Sequence, residues 1–98
     1  MAKIAFSGRA LEDFERVFEF YADGDPELAF AQIEAIQQAI EILADHPLIG
    51  RLTKHGLREL VISRGRTGFL ALYRFLPRAD MVRVLRIGHQ CELGYPQI

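Results

Sequence analysis

The chain has 98 residues, half of them hydrophobic, and a formal net charge of −1. This length predicts one domain over residues 1–98 with a single core, and one cysteine excludes an internal disulfide. No apolar run approaches the roughly 20 residues that a membrane-spanning helix needs, and no signal-peptide pattern opens the chain. We therefore expect a soluble cytoplasmic protein without a membrane partner.

The first half of the chain is predicted to begin with a strand and a helix. The segment KIAFS suits a short strand that ends at Ser7 and Gly8. A helix follows, because large apolar residues recur at steps of three and four: Leu11, Phe14, Phe18 and Tyr21. The charged residues between them, Asp13 included, are expected on the outer face of this helix.

A second helix is predicted to start at Asp25 and Pro26. The Asp25 carboxylate can cap free N–H groups, and proline loses no hydrogen bond at the first helical position. The apolar stripe of this helix is Ile33, Ile36, Ile40 and Leu43, and Pro47 disfavours its continuation. Two helices with matching stripes predict an antiparallel helical hairpin.

The second half of the chain is predicted to form strands. The segment HPLIGRLTKHG is interpreted as a loop, and three segments rich in β-branched and aromatic residues follow: LRELVIS, FLALYRFL and MVRVLRIG. The short link PRAD favours antiparallel pairing of the last two. Both faces of FLALYRF are apolar as far as Arg74, which is typical of a central strand covered on both sides.

These elements predict an α+β fold. An N-terminal strand and a helical hairpin are expected to pack on an antiparallel sheet of about four strands. The expected buried residues are Phe14, Phe18, Ile36, Ile40, Leu72 and Val84.

Charge is divided unevenly along the chain. Residues 1–50 carry three basic and ten acidic residues, whereas residues 51–98 carry nine basic and three acidic ones. Such a split favours an acidic or nucleic-acid partner for the second half, and salt bridges between the halves are the alternative. The predicted target-binding residues are the arginines near GRTGFLALYRF and on the last strand: Arg58, Arg64, Arg66, Arg74 and Arg86.

The order of elements and four short motifs resemble the RelE/ParE superfamily of toxins from type II toxin–antitoxin systems. The motifs are HPLIGR after the second helix, LREL at the start of the next strand, YRF in the middle strand and VLRIGHQ at the end. The resemblance covers nearly the whole chain. It implies a growth-inhibiting toxin that forms an oligomer with a cognate antitoxin, for which the expected contacts are Phe14, Phe18 and Tyr21.

The resemblance implies one of two targets. The RelE branch cleaves mRNA on the ribosome, and the ParE branch poisons DNA gyrase. Cleavage of RNA requires a base, a cation and an acid, for which the candidate catalytic residues are His89, Tyr95, Arg86 and Glu92, with Glu59 as a further carboxylate. No cofactor and no metal site are expected, because the histidines are scattered and there is no cysteine pair.

Two features disfavour the nuclease interpretation. RelE-like nucleases typically carry lysines on the strand that corresponds to LRELVIS and an arginine just after an aromatic in the middle strand. Here the first strand has no lysine, and Leu70 follows Phe69. A pI of about 6.3 also suits binding among ribosomal phosphates poorly. The resemblance therefore favours a ParE-like gyrase poison that is not an enzyme, with a RelE-type mRNA endoribonuclease and a non-toxic interaction module as alternatives.

Overall fold

A computed structural model describes residues 1–62 and 68–89. The helices and strands, in chain order, are β1 (Lys3–Phe6), α1 (Gly8–Ala22), α2 (Pro26–Glu41), β2 (Arg51–Leu52), β3 (Arg58–Val61), β4 (Phe69–Leu76) and β5 (Met81–His89). The strands form one sheet in the order β1-β5-β4-β3-β2. Neighbouring strands are antiparallel, except that β1 runs parallel to β5.

The predicted α+β architecture is confirmed, with five strands among the described residues rather than about four. The additional strand, β2, consists of two residues within the predicted loop HPLIGRLTKHG. The parallel pairing of β1 with β5 corrects the expectation of an antiparallel sheet. Neither described helix combines the length and the apolar character needed to cross a membrane.

Both helices begin at side-chain caps. The Ser7 hydroxyl accepts a hydrogen bond from the Ala10 N–H at 3.0 Å, and the Asp25 carboxylate accepts one from the Leu28 N–H at 3.2 Å. Each cap satisfies an N–H that has no partner within its own helix. The predicted start of the second helix at Asp25 and Pro26 is thereby confirmed.

The core lies between the helical hairpin and one face of the sheet. Its most enclosed large side chains are Tyr73, Phe69, Ile36, Ile40, Leu43 and Ile87. Of the expected buried residues, Ile36, Ile40 and Val84 are buried, whereas Phe14, Phe18 and Leu72 are half-buried. The central position of β4 in the sheet agrees with its apolar sequence on both faces.

The orientation of α1 differs from the sequence-based expectation. The hydrophobic pattern predicts Asp13 on the outer face, yet Asp13 is 1% exposed, and its buried neighbours on the helix are Ala10 and Val17. Leu11, which was placed inward, is 53% exposed. The helix is rotated because Asp13 has partners on the sheet that a hydrophobic pattern cannot reveal.

Candidate functional site

A buried ion pair joins α1 to β5. The Asp13 carboxylate accepts hydrogen bonds from Arg86 Nε at 2.9 Å and Arg86 Nη2 at 3.2 Å, which is a bidentate arrangement. Arg16 Nη1 donates to the same carboxylate at 2.8 Å. The side chain of Arg86 is 24% exposed. This predicted target-binding and catalytic candidate therefore has a structural partner, and its contact with a target stays a prediction.

Asp13 also accepts a backbone hydrogen bond of β5 beyond the point where the neighbouring strand β1 ends. Register between β4 and β5 shifts at Leu72 and Tyr73, which leaves an irregularity in β5 near Leu85. The neighbouring strand β1 ends at Phe6, level with Val84. Beyond that level, the Ser7 hydroxyl donates to the Leu85 carbonyl at 2.8 Å, and the Ile87 N–H donates to Asp13 at 2.8 Å.

These contacts determine the ionisation of Asp13. Burial acts to raise the pKa of Asp13, but hydrogen bonds from Arg86, the Ile87 N–H and Arg16 oppose it, and so does the charge of Arg86. The net effect holds the pKa of Asp13 below its usual range. The carboxylate is therefore a permanent anion near neutral pH.

Residues of three of the four motifs that carry the family resemblance meet beside β3. The Gly50 N–H donates to the Tyr73 hydroxyl at 2.8 Å. Arg58 Nη1 donates to the carbonyls of Leu48 at 3.1 Å and Gly50 at 2.8 Å. A Cβ atom at residue 50 would lie 2.5 Å from the Tyr73 hydroxyl oxygen, so glycine is required there. Burial raises the pKa of the Tyr73 phenol, against the opposing Gly50 hydrogen bond and Arg58 charge.

The described arginines do not converge on one anion site. Arg58 holds two carbonyls of the α2–β3 connection, and Arg74 Nη2 donates to the carbonyl of His55 in the same connection at 3.1 Å. Arg86 instead contacts Asp13 on the opposite side of β4. Arg64 and Arg66 lie outside the described residues. Some of the arginines in the second half of the chain are thus engaged in internal hydrogen bonds.

His89 ends β5 beside an aromatic cluster. Its Nδ1 lies 3.0 Å from the Gly68 carbonyl, which can only accept, so Nδ1 carries the proton. Its ring lies 4.6 Å from that of Phe69. Both line a small cavity of about 170 Å³ with Arg16, Val17, Phe20 and Tyr21. His89 is therefore on the helix-covered face of the sheet.

Glu59 lies on the other face. Its register partner in β4 is Leu72, whereas the adjacent pair of Leu60 and Ala71 packs towards the helices. Glu59 is 7% exposed, and its Oε1 accepts a hydrogen bond from Arg51 Nη2 at 2.9 Å. Because Glu59 and His89 are separated by the sheet, they cannot act on one phosphate. The candidates Glu92 and Tyr95 lie outside the described residues, of which none form a group of three or more His, Cys, Asp or Glu able to hold a metal.

A groove runs between the two helices. Its volume is about 260 Å³, and its lining consists of Phe14, Glu15, Phe18, Glu19 and Ile33. The ring of Phe18 packs edge-on against that of Phe30 at 5.0 Å, and Phe30 is 66% exposed. Two of the predicted antitoxin contacts therefore lie together in an apolar groove with acidic side chains.

The third predicted antitoxin contact lies elsewhere. Tyr21 lines the His89 cavity rather than the groove, and its ring lies 6.5 Å from that of Phe69. Its hydroxyl is buried and has no hydrogen-bond partner in the part of the chain that the structure describes. The structure therefore divides Phe14, Phe18 and Tyr21 between two adjoining surfaces of α1.

Comparison with known proteins gives a consistent family match. The model of the family described as the ParE toxin of type II toxin–antitoxin system, parDE, matches residues 4–94. Toxin RelE3 of Caulobacter vibrioides is 32% identical over 94% of this chain and 98% of its own length. Toxin RelE1 of the same organism is 30% identical over 91% of this chain and 94% of its own length.

Solved structures share the fold at lower identity. A chain from the chromosomal ParDE system of P. aeruginosa superimposes with a TM-score of 0.75 at 22% identity, covering 91% of this chain and 96% of that one. The isolated E. coli RelE toxin superimposes with a TM-score of 0.65 at 15% identity, covering 90% and 83%. At these identities the likeness concerns the fold alone.

Proposed function

Because the chain belongs to the ParE toxin family of type II toxin–antitoxin systems, we propose that it inhibits growth by binding DNA gyrase and that a cognate antitoxin neutralises it. The ParE family model spans nearly the whole chain. A toxin of this kind needs a binding surface and no proton-transfer groups. The proposal therefore concerns an inhibitor and not an enzyme.

The position of the candidate catalytic groups carries the proposal. Glu59 and His89 lie on opposite faces of the sheet, and Arg86 is held by the buried Asp13. General acid–base cleavage needs both groups within hydrogen-bond reach of one substrate. Among residues 1–62 and 68–89, these groups do not form such a set.

A RelE-type mRNA endoribonuclease is the second candidate. The curated relatives carry the name RelE, and His89, a residue type suited to proton transfer, lies at the end of β5. Glu92 and Tyr95 would then complete the catalytic set. The family model and the separation of Glu59 from His89 favour gyrase over this candidate.

Two assays on purified wild-type protein separate the candidates. We expect inhibition of supercoiling by gyrase and no ribosome-dependent cleavage of mRNA. His89→Ala should weaken gyrase inhibition by about tenfold or less, since truncating most interface residues costs about 1 kcal/mol or less. In a nuclease the same change should lower the cleavage rate about 100-fold or more. Cleavage with unaffected supercoiling would establish the endoribonuclease, and a harmless protein in both assays and in growth would establish the interaction module.

The antitoxin is proposed to bind the groove between α1 and α2. Solved neighbours include the intact E. coli RelBE toxin–antitoxin complex, with a TM-score of 0.64, and the RelBE2 complex of Mycobacterium tuberculosis, with 0.60. Exposed aromatic surface such as Phe30 suits an apolar partner segment. Because Glu15 and Glu19 line the same groove, the segment is expected to carry basic residues as well.

A further inference from the structure

Exposed aliphatic side chains cluster at the β2 end of the sheet. Leu48 and Ile49 are each 57% exposed, and Leu52 is 60% exposed. Four residue steps separate the first from the last, so their Cα atoms lie within ~14 Å of one another. Together with Arg51 and Lys54 they form what we call the β2-edge patch. Exposed aliphatic groups this close together usually indicate an interaction surface.

Hydrogen bonds from β3 and β4 fix the backbone of the β2-edge patch. Arg58 fixes the carbonyls of Leu48 and Gly50, and Tyr73 fixes the Gly50 N–H. Such anchoring lowers the conformational entropy that a partner must remove on binding. The aliphatic groups are therefore presented by an ordered segment.

Glu59 orients the cation of the patch. Its buried carboxylate holds Arg51 Nη2 at 2.9 Å, while the Arg51 side chain remains 68% exposed. The other N–H groups of the guanidinium are thus available to an acceptor outside the protein. Arg51 is a positioned donor beside the exposed Leu52.

The charge of this segment selects the chemistry of its partner. From residue 46 to residue 58 the sequence contains Arg51, Lys54 and Arg58 and no acidic residue. The groove between α1 and α2 instead has Glu15 and Glu19 in its lining. A partner segment suited to one surface is electrostatically mismatched to the other. The β2-edge patch therefore fits a different segment from the one that fills the groove.

We propose that the β2-edge patch docks an acidic, apolar segment of the target protein of the toxin. This inference rests on the proposed function, in that it takes the target to be a protein. Among the described strands β2 is the last in the sheet, which is the position at which an extended segment can add to a sheet. Arg51 and Lys54 contact the acidic groups of the segment, and the aliphatic side chains contact its apolar ones.

Two variants test the two halves of this chemistry. Lys54→Glu reverses a charge that has no internal salt bridge among the described residues, and Ile49→Ser with Leu52→Ser removes exposed aliphatic surface. Each should raise the toxin concentration needed for half-inhibition of gyrase at least tenfold. Co-purification with the antitoxin and the melting temperature should stay at the wild-type level. Matched controls are Arg78→Glu and Ile42→Ser, which alter exposed residues elsewhere.

The outcomes separate this inference from the proposed function. Variants that inhibit gyrase as strongly as the wild type would overturn the proposed role of the patch and leave the gyrase assignment intact. Variants that lose antitoxin binding while still inhibiting gyrase would show that the patch binds the antitoxin and not the target. If the wild-type protein leaves supercoiling unaffected, the gyrase assignment fails. The proposed role of the patch is then tested by comparing growth inhibition by the wild type and by the two variants. Loss of toxicity in both variants would support another protein target, whereas loss in Lys54→Glu alone would indicate an RNA contact and overturn the proposal.

Discussion

At the scale of single residues, Asp13 is the most consequential side chain that the sequence did not reveal. It is an anion within the core, held by Arg86, Arg16 and the Ile87 N–H. Replacing Asp13 by Asn keeps the shape but leaves Arg86 without its counter-charge. We expect the free energy of unfolding to fall by about 3 kcal/mol, measured by denaturant titration. As a control, Glu12→Gln alters an exposed neighbouring residue and should change the free energy of unfolding by less than about 0.5 kcal/mol.

The same residue predicts a pH dependence. The folded-state pKa of Asp13 is lowered, so its stabilisation is fully present above the unfolded value of about 3.9 and is lost as pH falls through the folded pKa. The stability difference between wild type and Asp13→Asn should therefore be constant near neutral pH and shrink below about pH 4. Unfolding titrations at several pH values would measure it, and a difference that persists unchanged in acid would contradict this role.

Two tyrosines provide a matched comparison of buried hydroxyl groups. Tyr73 accepts a hydrogen bond from the Gly50 N–H, whereas the buried hydroxyl of Tyr21 has no partner within residues 1–62 and 68–89. Tyr73→Phe should lower the free energy of unfolding by about 1 to 3 kcal/mol, because it strands a buried N–H. Tyr21→Phe should leave stability unchanged or raise it. Equal losses in urea titrations of the two variants would show that the hydrogen bond to Gly50 is not the cause.

The arginines show why residue roles were harder to predict than residue types. The sequence identified Arg58, Arg74 and Arg86 as basic residues on strands that lack lysine. Arg58 and Arg74 hold carbonyls of the α2–β3 connection, 8 and 19 residues away in sequence, and Arg86 holds a carboxylate of α1, 73 residues away. A one-dimensional pattern carries no information on such partners. It could therefore indicate a binding face but not the internal contacts that compete for the same side chains.

At the scale of elements, α1 completes the sheet beyond the end of β1. Ser7 both caps this helix at Ala10 and donates to the Leu85 carbonyl. Ser7→Ala removes both hydrogen bonds and should lower the free energy of unfolding by about 1 to 2 kcal/mol. Asp25→Ala removes one exposed cap bond, to Leu28, and should have a smaller effect, of about 1 kcal/mol or less. Thermal and urea unfolding of both variants would test this order, and a reversal would contradict the double role of Ser7.

Elements were predicted well where a local pattern defines them. The bounds of β4 match the FLALYRFL segment, and the cap at Asp25 starts α2 as expected. The two-residue strand β2 escaped prediction because two residues contain no periodicity. The parallel pairing of β1 with β5 escaped because it joins the two ends of the chain. The rotation of α1 escaped because hydrophobic periodicity assigns every carboxylate to the outside.

At the scale of the whole molecule, the charge division separates two surfaces. The acidic half of the sequence forms the helical hairpin, and the basic half forms most of the sheet. Contacts such as Arg86 with Asp13 join the halves, yet Arg51 remains largely exposed on the sheet. The acidic groove and the basic β2-edge patch are therefore separate surfaces, which is what the proposed antitoxin and target sites require.

This separation predicts how antitoxin binding responds to salt. A basic segment approaching the groove is attracted by Glu15 and Glu19, and salt screens that attraction because the Debye length falls from about 10 Å at 0.1 M to about 3 Å at 1 M. The association rate, measured by stopped-flow or surface plasmon resonance, should fall as salt rises. Glu15→Gln with Glu19→Gln should flatten this dependence without changing the melting temperature, whereas Glu41→Gln, at the end of α2, serves as the control. A rate that is insensitive to salt in the wild type would place the antitoxin on a surface other than the groove.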